Sequence, residues 1–176
     1  MNQSSSVAVP AIPNEGWERI LAEVNAWRGA CMHHFTAVEH AVTEALLALH
    51  AACPANTKVR LRHLIGQQFE DLAAAISPEG PFAATGKVSS GSLAYFRERH
   101  EAFRTLLCHS QMTVSVEVSG KWIVVARNLS IRGSQADHAV TVIEQADATI
   151  RLAELKRDGQ KLAAQLGSLR KAVAAG

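Results

Sequence analysis

The sequence predicts a mainly α-helical fold, a bundle of four to five helices with long first and last helices and one inserted β-hairpin. Apolar residues recur every three or four positions near residues 17–49 and 140–173, which is the period of one helical face. Alanine, a strong helix former, supplies a large share of the apolar 48% of the 176 residues. A short stretch near 112–127 instead alternates apolar and polar residues, as half-buried strands do.

The first helix is predicted to follow an N-terminal arm. Residues 1–13 are rich in serine and contain two prolines without a helical period, so a flexible arm is expected. Asn14 can then cap a helix with Glu15 in its first turn, where free amide groups favour a carboxylate. Pro54 ends the apolar seam, which predicts a helix of about 38 residues. Residues 14–176 together are expected to form a single domain, since the chain has the length of one.

Two shorter helices are predicted in the middle of the chain. Thr57 is a candidate cap for the second helix, which continues to Ile76 and carries basic residues at its start. Residues 77–91 hold two prolines and three glycines and are expected to form a loop. The third helix is predicted to start near Ser90 or Ser92. Its buried face is expected to consist of Leu93, Phe96, His100, Phe103 and Leu107.

The chain then changes from helix to strand and back. The alternating stretch at about 112–127 predicts two strands joined by a two-residue turn at Ser119-Gly120. An isolated hairpin is only marginally stable, so its valine face is expected to pack on the helices. Ser134, with Asp137 three residues later, resembles a capping box and predicts the start of the last helix, which continues almost to the end of the chain.

Composition and charge restrict the functional classes. No apolar run approaches the roughly 20 residues that span a bilayer, and no basic residues precede an apolar core at the N-terminus. A cytoplasmic protein without membrane association is therefore expected. Residues 58–132 carry ten basic and six acidic side chains, an excess that favours an anionic partner without requiring one. The three cysteines form no Cys-x-x-Cys pair and are interpreted as reduced thiols.

The eight histidines raise the question of a metal site. His33 and His40 are seven positions apart, and Cys31 and His34 are three apart, so either pair shares a helical face. No further ligands follow in a recognised pattern, and hydrogen-bonded or surface histidines are the preferred interpretation. No metal or other cofactor is expected. The sequence also lacks a Gly-rich phosphate loop, a Gly-x-Ser-x-Gly elbow and a His-Glu-x-x-His motif.

Arg104 and His109 are the candidate catalytic pair. Arginine can hold phosphate oxygens through two parallel hydrogen bonds, and histidine exchanges a proton near neutral pH. RNA cleavage by its own 2′-hydroxyl needs both capacities. The same spacing separates Arg28 from His33, so spacing alone is not specific. The position of Arg104 near a helix end, before a hairpin, distinguishes it.

The stretch 103–110, FRTLLCHS, resembles the motif of the HEPN family, in which arginine and a polar residue precede histidine by a few positions. The resemblance implies a helical bundle that acts as a metal-independent ribonuclease, often in toxin or defence systems, with two motif helices meeting across a homodimer. It implies that Arg104 stabilises phosphate charge, that His109 is the general acid or base and that Thr105 orients the group. RNA and an antitoxin or other protein are the implied partners.

Three neighbours on the same helix, Arg97, Arg99 and His100, would widen the surface that binds phosphate and RNA. Glu98 and Glu101 lie among them, and surface ion pairs at helical spacing are the alternative interpretation of this cluster. The alternative for the whole chain is a non-catalytic, dimeric helical interaction or scaffold protein. Long apolar seams and surfaces of mixed charge suffice for that role.

Overall fold

The computed structural model describes residues 14–132 and 135–175. The N-terminal arm predicted at residues 1–13 lies outside these ranges. Within them the elements are, in order, α1 (Asn14–Ala51), α2 (Ile65–Ala75), α3 (Ala83–His109), β1 (Gln111–Val116), β2 (Trp122–Arg132), β3 (Gln135–Glu144) and α4 (Gln145–Ala174). The predicted fold class, mainly α with long first and last helices and an inserted hairpin, is confirmed.

The two long helices form the centre of the bundle. α1 packs more extensively on α4 than on any other helix. The apolar side chains that these two helices bury include Val24, Phe35, Val38, Leu46, Leu155, Leu162 and Leu166. Trp27 Nε1 donates a hydrogen bond to the Ala148 carbonyl at 2.9 Å, and its ring lies 5.7 Å from that of Trp122 in β2. Trp27 therefore fixes α1 to both the start of α4 and the sheet.

α2 is shorter than predicted, because residues 52–64 form a loop and the helix begins only at Ile65. The Thr57 hydroxyl does not cap a helix. It donates instead to the Pro54 carbonyl at 2.8 Å, within a turn of the chain. Asn56 in the same turn has a φ of 68°, a left-handed conformation that asparagine tolerates better than most residues. Turn chemistry local to the proline therefore prevails over the cap signal at Thr57.

α3 begins at Ala83, before the start predicted near Ser90 or Ser92. Gly86 lies inside this helix because a larger residue would not fit there. A Cβ atom at Gly86 would lie 2.4 Å from Ile76 Cβ, so the glycine allows α3 to pass close to the end of α2. The predicted buried face is confirmed for Leu93, Phe96, His100, Phe103 and Leu107.

The predicted hairpin is present as β1 and β2. The two strands pair antiparallel, beginning with Gln111 opposite Arg127, and the hairpin occupies the region predicted at about 112–127. The turn is one residue longer than the predicted two-residue turn, because the Glu117 N–H bonds the Lys121 carbonyl at 2.8 Å and leaves residues 118–120 between them. Gly120 in this turn has a φ of 83°, which glycine adopts without strain.

A third strand, β3, replaces the start of the predicted last helix. β3 pairs antiparallel with β2 along its length, and α4 begins only at Gln145. The helix start predicted from Ser134 and Asp137 is therefore wrong. Residues 140–143 form a run of β-branched side chains, Val-Thr-Val-Ile, which favours a strand over a helix when a neighbouring strand is available.

The two faces of the sheet differ in burial because successive side chains of a strand point to opposite faces. One face packs on the helices through buried residues that include Val124 and Ile143. The opposite face exposes Leu129, Val140 and Val142. The strand order is β1-β2-β3, so β3 is an edge strand.

Candidate functional site

The predicted site residues lie on different sides of α3. Arg97, Arg104 and Thr105 line a groove between α1, α2 and α3, which we call the α2-side groove. Arg99 and His100 line a second groove, between α3 and α4, which we call the α4-side groove. Side chains on a helix are neighbours at spacings of three or four, and this spacing explains the division.

The α2-side groove has an aromatic floor and a charged rim, and it encloses about 200 Å³. The rings of Phe69 and Phe96 lie 11° from parallel with centroids 6.5 Å apart, and Phe35 meets Phe96 edge-on at 6.4 Å. The charged groups of the rim are Glu39, Arg97, Glu101 and Arg104. Two arginines face two glutamates here, so these side chains give the groove no net charge to attract an anion.

Arg104 is engaged within the chain. Its Nε donates to Glu39 Oε1 of α1, and the two side chains are 28% and 22% exposed. Arg97 Nε similarly lies 3.3 Å from Glu101 Oε2, one turn along α3. Both arginines of the α2-side groove therefore already have carboxylate partners.

Thr105 is also engaged, with its own helix. Its Oγ1 donates to the Glu101 carbonyl at 3.1 Å, a bond to the residue four positions earlier that helical serines and threonines commonly make. This bond directs the hydroxyl along α3. No group among the described residues aligns it with the candidate catalytic pair.

His109 lies apart from Arg104. It is the last residue of α3 and is exposed, while residues five positions apart on a helix diverge by about 140°. His109 does not line the groove that Arg104 borders. Near it, Arg28 Nη2 of α1 donates to the Leu107 carbonyl at 2.7 Å, which satisfies one free carbonyl of the helix end. The candidate pair does not converge within one chain.

One residue of the α4-side groove, His100, forms a buried pair with α4. His100 Nε2 lies 3.0 Å from Asp158 Oδ2 of α4, and both side chains are buried. Asp158 Oδ1 accepts from Arg157 Nε at 2.8 Å, while Arg99 Nη2 donates to Glu154 Oε1 at 2.5 Å. Arg99 and His100 thus both connect α3 to α4, His100 as a buried group and Arg99 as a side chain that is still 43% exposed.

Opposing influences act on Asp158. Burial raises the pKa of this carboxyl, but hydrogen bonds from Arg157 and His100 and the positive charge of Arg157 act in the opposite direction and prevail, so the pKa of Asp158 is lowered. A carboxylate in such a setting stays charged at neutral pH. It therefore serves as a fixed acceptor for His100.

A second internal pair uses a basic residue of the loop before α2. Arg62 donates to Asp71 through Nε at 2.9 Å and Nη2 at 2.7 Å, and its backbone N–H also bonds that carboxylate. Hydrogen bonds from Arg62 lower the pKa of Asp71, although burial opposes them. Arg62, one of the basic residues in the second half of this loop, is therefore committed to holding the loop on α2.

Glu39 and Asp158 are the important residues that sequence reasoning missed. Glu39 follows Val38 in the apolar seam of α1, and Asp158 precedes the buried Gly159 in that of α4. An acidic residue beside a buried position is the signal that could have marked both, because a carboxylate there needs a partner. The sequence does not identify which cation supplies it.

The cysteine and histidine pairs of α1 form no metal centre in the part of the chain described. No three His, Cys, Asp or Glu residues there are placed to hold an ion. Cys31 is fully buried, and burial raises its pKa to about 12. The pKa of His34 is lowered, first by burial and then by the charges of His33 and Lys156.

None of the helices in residues 14–132 and 135–175 is long and apolar enough to cross a membrane.

Comparisons with known protein families, with curated proteins and with solved structures find no match for this chain. The resemblance of residues 103–110 to the HEPN motif consequently stays a prediction.

Proposed function

We propose that the protein is a non-enzymatic interaction protein, in which α3 ties the bundle together and the sheet supplies a surface for a partner. The pairing of Arg104 with Glu39 is the observation that carries this proposal. A catalytic arginine must be free to bind phosphate as charge develops on it. Here a phosphate would displace Glu39 and then face its carboxylate.

The charges around Arg104 support the same conclusion. Glu39 and Glu101 both border the groove, and like charges within a few ångströms repel strongly where water is partly excluded. The exposed His109 lies outside that groove, so the imidazole that the motif would use for proton transfer does not line the groove with Arg104. The arrangement is suited to holding α1 against α3 and not to binding an anion.

An RNA cleavage assay tests this proposal. Purified wild-type protein is incubated with total RNA in EDTA beside the variants His109→Ala and Arg104→Ala. His33→Ala is the matched control, because His33 is also exposed and also follows an arginine by five positions. We expect all four proteins to leave the RNA intact. Cleavage that is lost in His109→Ala and Arg104→Ala but retained in His33→Ala would overturn the proposal.

The same assay addresses a second candidate function, an HEPN-like ribonuclease or RNA-binding protein of a toxin or defence system. The exposure of His109 and the partial exposure of Arg104 favour it, since a second copy could add its own His109 to the groove. Cleavage that depends on both residues would support this candidate. An antitoxin partner would be proposed only if the ribonuclease function were supported.

A further inference from the structure

The outer edge of β3 has peptide groups available for pairing. Trp122 donates its backbone N–H to Gln145 Oε1 at 3.4 Å, on the β3 side of β2, whereas Glu117 of the β1 side bonds the Lys121 carbonyl at 2.8 Å. The backbone N–H and C=O groups of successive residues point to opposite neighbouring strands. Even-numbered residues of β2 therefore bond to β3, and odd-numbered residues bond to β1. Their partners in β3 are odd-numbered, as in Val124 opposite Ile143.

The even-numbered residues of β3 consequently direct their N–H and C=O groups outwards. These are His138, Val140, Val142 and Glu144. No strand lies beyond β3 in the described part of the sheet. A free edge of this kind is a template for another strand.

The side chains at this edge lack the usual protection. Natural edge strands carry lysines, prolines or bulges that prevent pairing. Between His138 and Glu144 the strand reads Ala-Val-Thr-Val-Ile without a charge. Val140 and Val142 are 64% and 56% exposed, so the solvent-facing side of the strand is apolar here.

We propose that β3 pairs antiparallel with β3 of a second copy, centred on Thr141, so that the two sheets become continuous. This inference rests on the proposed function and names the partner that the sheet binds. In this register Thr141 faces itself, Val140 faces Val142, and His138 faces Glu144 of the second copy. Thr–Thr and oppositely charged pairs are favourable across strands, and two valines that face each other cover apolar surface.

The sequence of β3 favours a second copy over an unrelated strand. His138 and Glu144 both lie three positions from Thr141, and the two valines both lie one position from it. Complementary groups placed symmetrically about one residue are what a two-fold interface requires. Pairing centred on Val140 would instead place His138 opposite Val142, and pairing centred on Val142 would place Glu144 opposite Val140.

Charge exchange tests the register. His138→Glu places two glutamates opposite each other at two symmetric positions, and we expect it to raise the dimer dissociation constant about tenfold. The double variant His138→Glu/Glu144→Lys should restore it. Within one chain these residues face Leu129 and Ile123 of β2 and not each other, so only pairing between copies explains a rescue. Sedimentation equilibrium of the full chain at micromolar concentrations measures each constant.

Crosslinking tests the centre of the pairing. Thr141 faces itself as a non-hydrogen-bonded pair, for which Cα atoms are about 4.5 Å apart, within the range of a disulfide. Thr141→Cys should form a disulfide-linked dimer under mild oxidation. Val140→Cys is the matched control and should form much less, because Val140 faces Val142 of the other copy. The wild type, oxidised in parallel, shows how much dimer the native cysteines crosslink by themselves.

Three results would overturn the inference. These are a wild type that stays monomeric, a dimer unaffected by His138→Glu, and crosslinking of Val140→Cys in preference to Thr141→Cys. A monomer that cleaves no RNA would remove the second copy as partner and leave the proposed function standing. RNA cleavage lost in His109→Ala would instead overturn the proposed function, whatever the oligomeric state.

Discussion

The polar face of α3 and the outer edge of β3 present opposite situations. The arginines of α3 each have a carboxylate partner, Glu101 for Arg97, Glu154 for Arg99 and Glu39 for Arg104. The edge of β3 has neither charges nor a neighbouring strand between His138 and Glu144 in the described residues. The arginines of α3, which look reactive in the sequence, already have partners within the chain. The peptide groups at the edge of β3, which looks ordinary in the sequence, have no partner strand in the described residues.

This difference indicates where binding free energy remains available. A ligand that engages Arg104 must first separate a partly buried ion pair and leave a carboxylate without its partner. A strand that joins β3 makes new backbone hydrogen bonds and covers exposed valines. Interaction through the sheet is therefore favoured over interaction through α3.

The largest expected effect concerns the buried pair between α3 and α4. His100→Ala should lower the free energy of unfolding by about 2–4 kcal/mol, because it leaves Asp158 buried with fewer partners and removes the contact of the imidazole with Phe96. Urea denaturation measures this loss. Arg97→Ala is the control and should change stability by less than about 0.5 kcal/mol, since its pair with Glu101 is a surface pair.

Equal losses in His100→Ala and Arg97→Ala would contradict the distinction between a buried and a surface pair on α3. The role of α3 as the element that joins the bundle would then have to rest on its apolar face alone.

The next effect concerns acid stability through Asp71. The pKa of Asp71 in the folded chain lies below its ordinary value of about 3.9, mainly because Arg62 bonds it. A carboxyl whose pKa is lowered by folding contributes stability above its unfolded pKa, and that contribution is lost as the pH falls through the folded value. Asp71→Asn should lower stability by about 2 kcal/mol at neutral pH.

The same variant should show a shallower decline of stability below about pH 4 than the wild type, because it lacks the proton uptake by Asp71. Urea midpoints measured between neutral pH and pH 3 check this. Parallel curves for the two proteins would show that Arg62 and Asp71 do not interact in the folded chain as the distances indicate.

The sequence predicted the helices better than it predicted their boundaries. The apolar period of α1 and the buried face of α3, including His100, follow from local spacing. The start of α4 does not follow from local spacing, because Val140 and Ile143 are three positions apart and fit a helix as well as a strand. Pairing with β2, which depends on the rest of the fold, decides between the two.

The candidate site was less predictable than the fold for the same reason. The motif residues could be identified, but Glu39 is 65 positions from Arg104, and Asp158 is 58 positions from His100. Whether an arginine is available to a ligand depends on which acidic side chain the fold brings to it. No local pattern contains that information.

The smallest expected effect concerns the Arg104–Glu39 pair itself. Arg104→Ala and Glu39→Ala should each lower the free energy of unfolding by about 1 kcal/mol, because the pair is partly buried and still reached by solvent. A double-mutant cycle should give a coupling free energy of roughly 0.5–1 kcal/mol. A coupling near zero would mean that Arg104 does not hold α1 to α3 in solution. Arg104 would then be free to bind an anion, and the contrast between α3 and β3 would weaken in favour of the RNA-binding function.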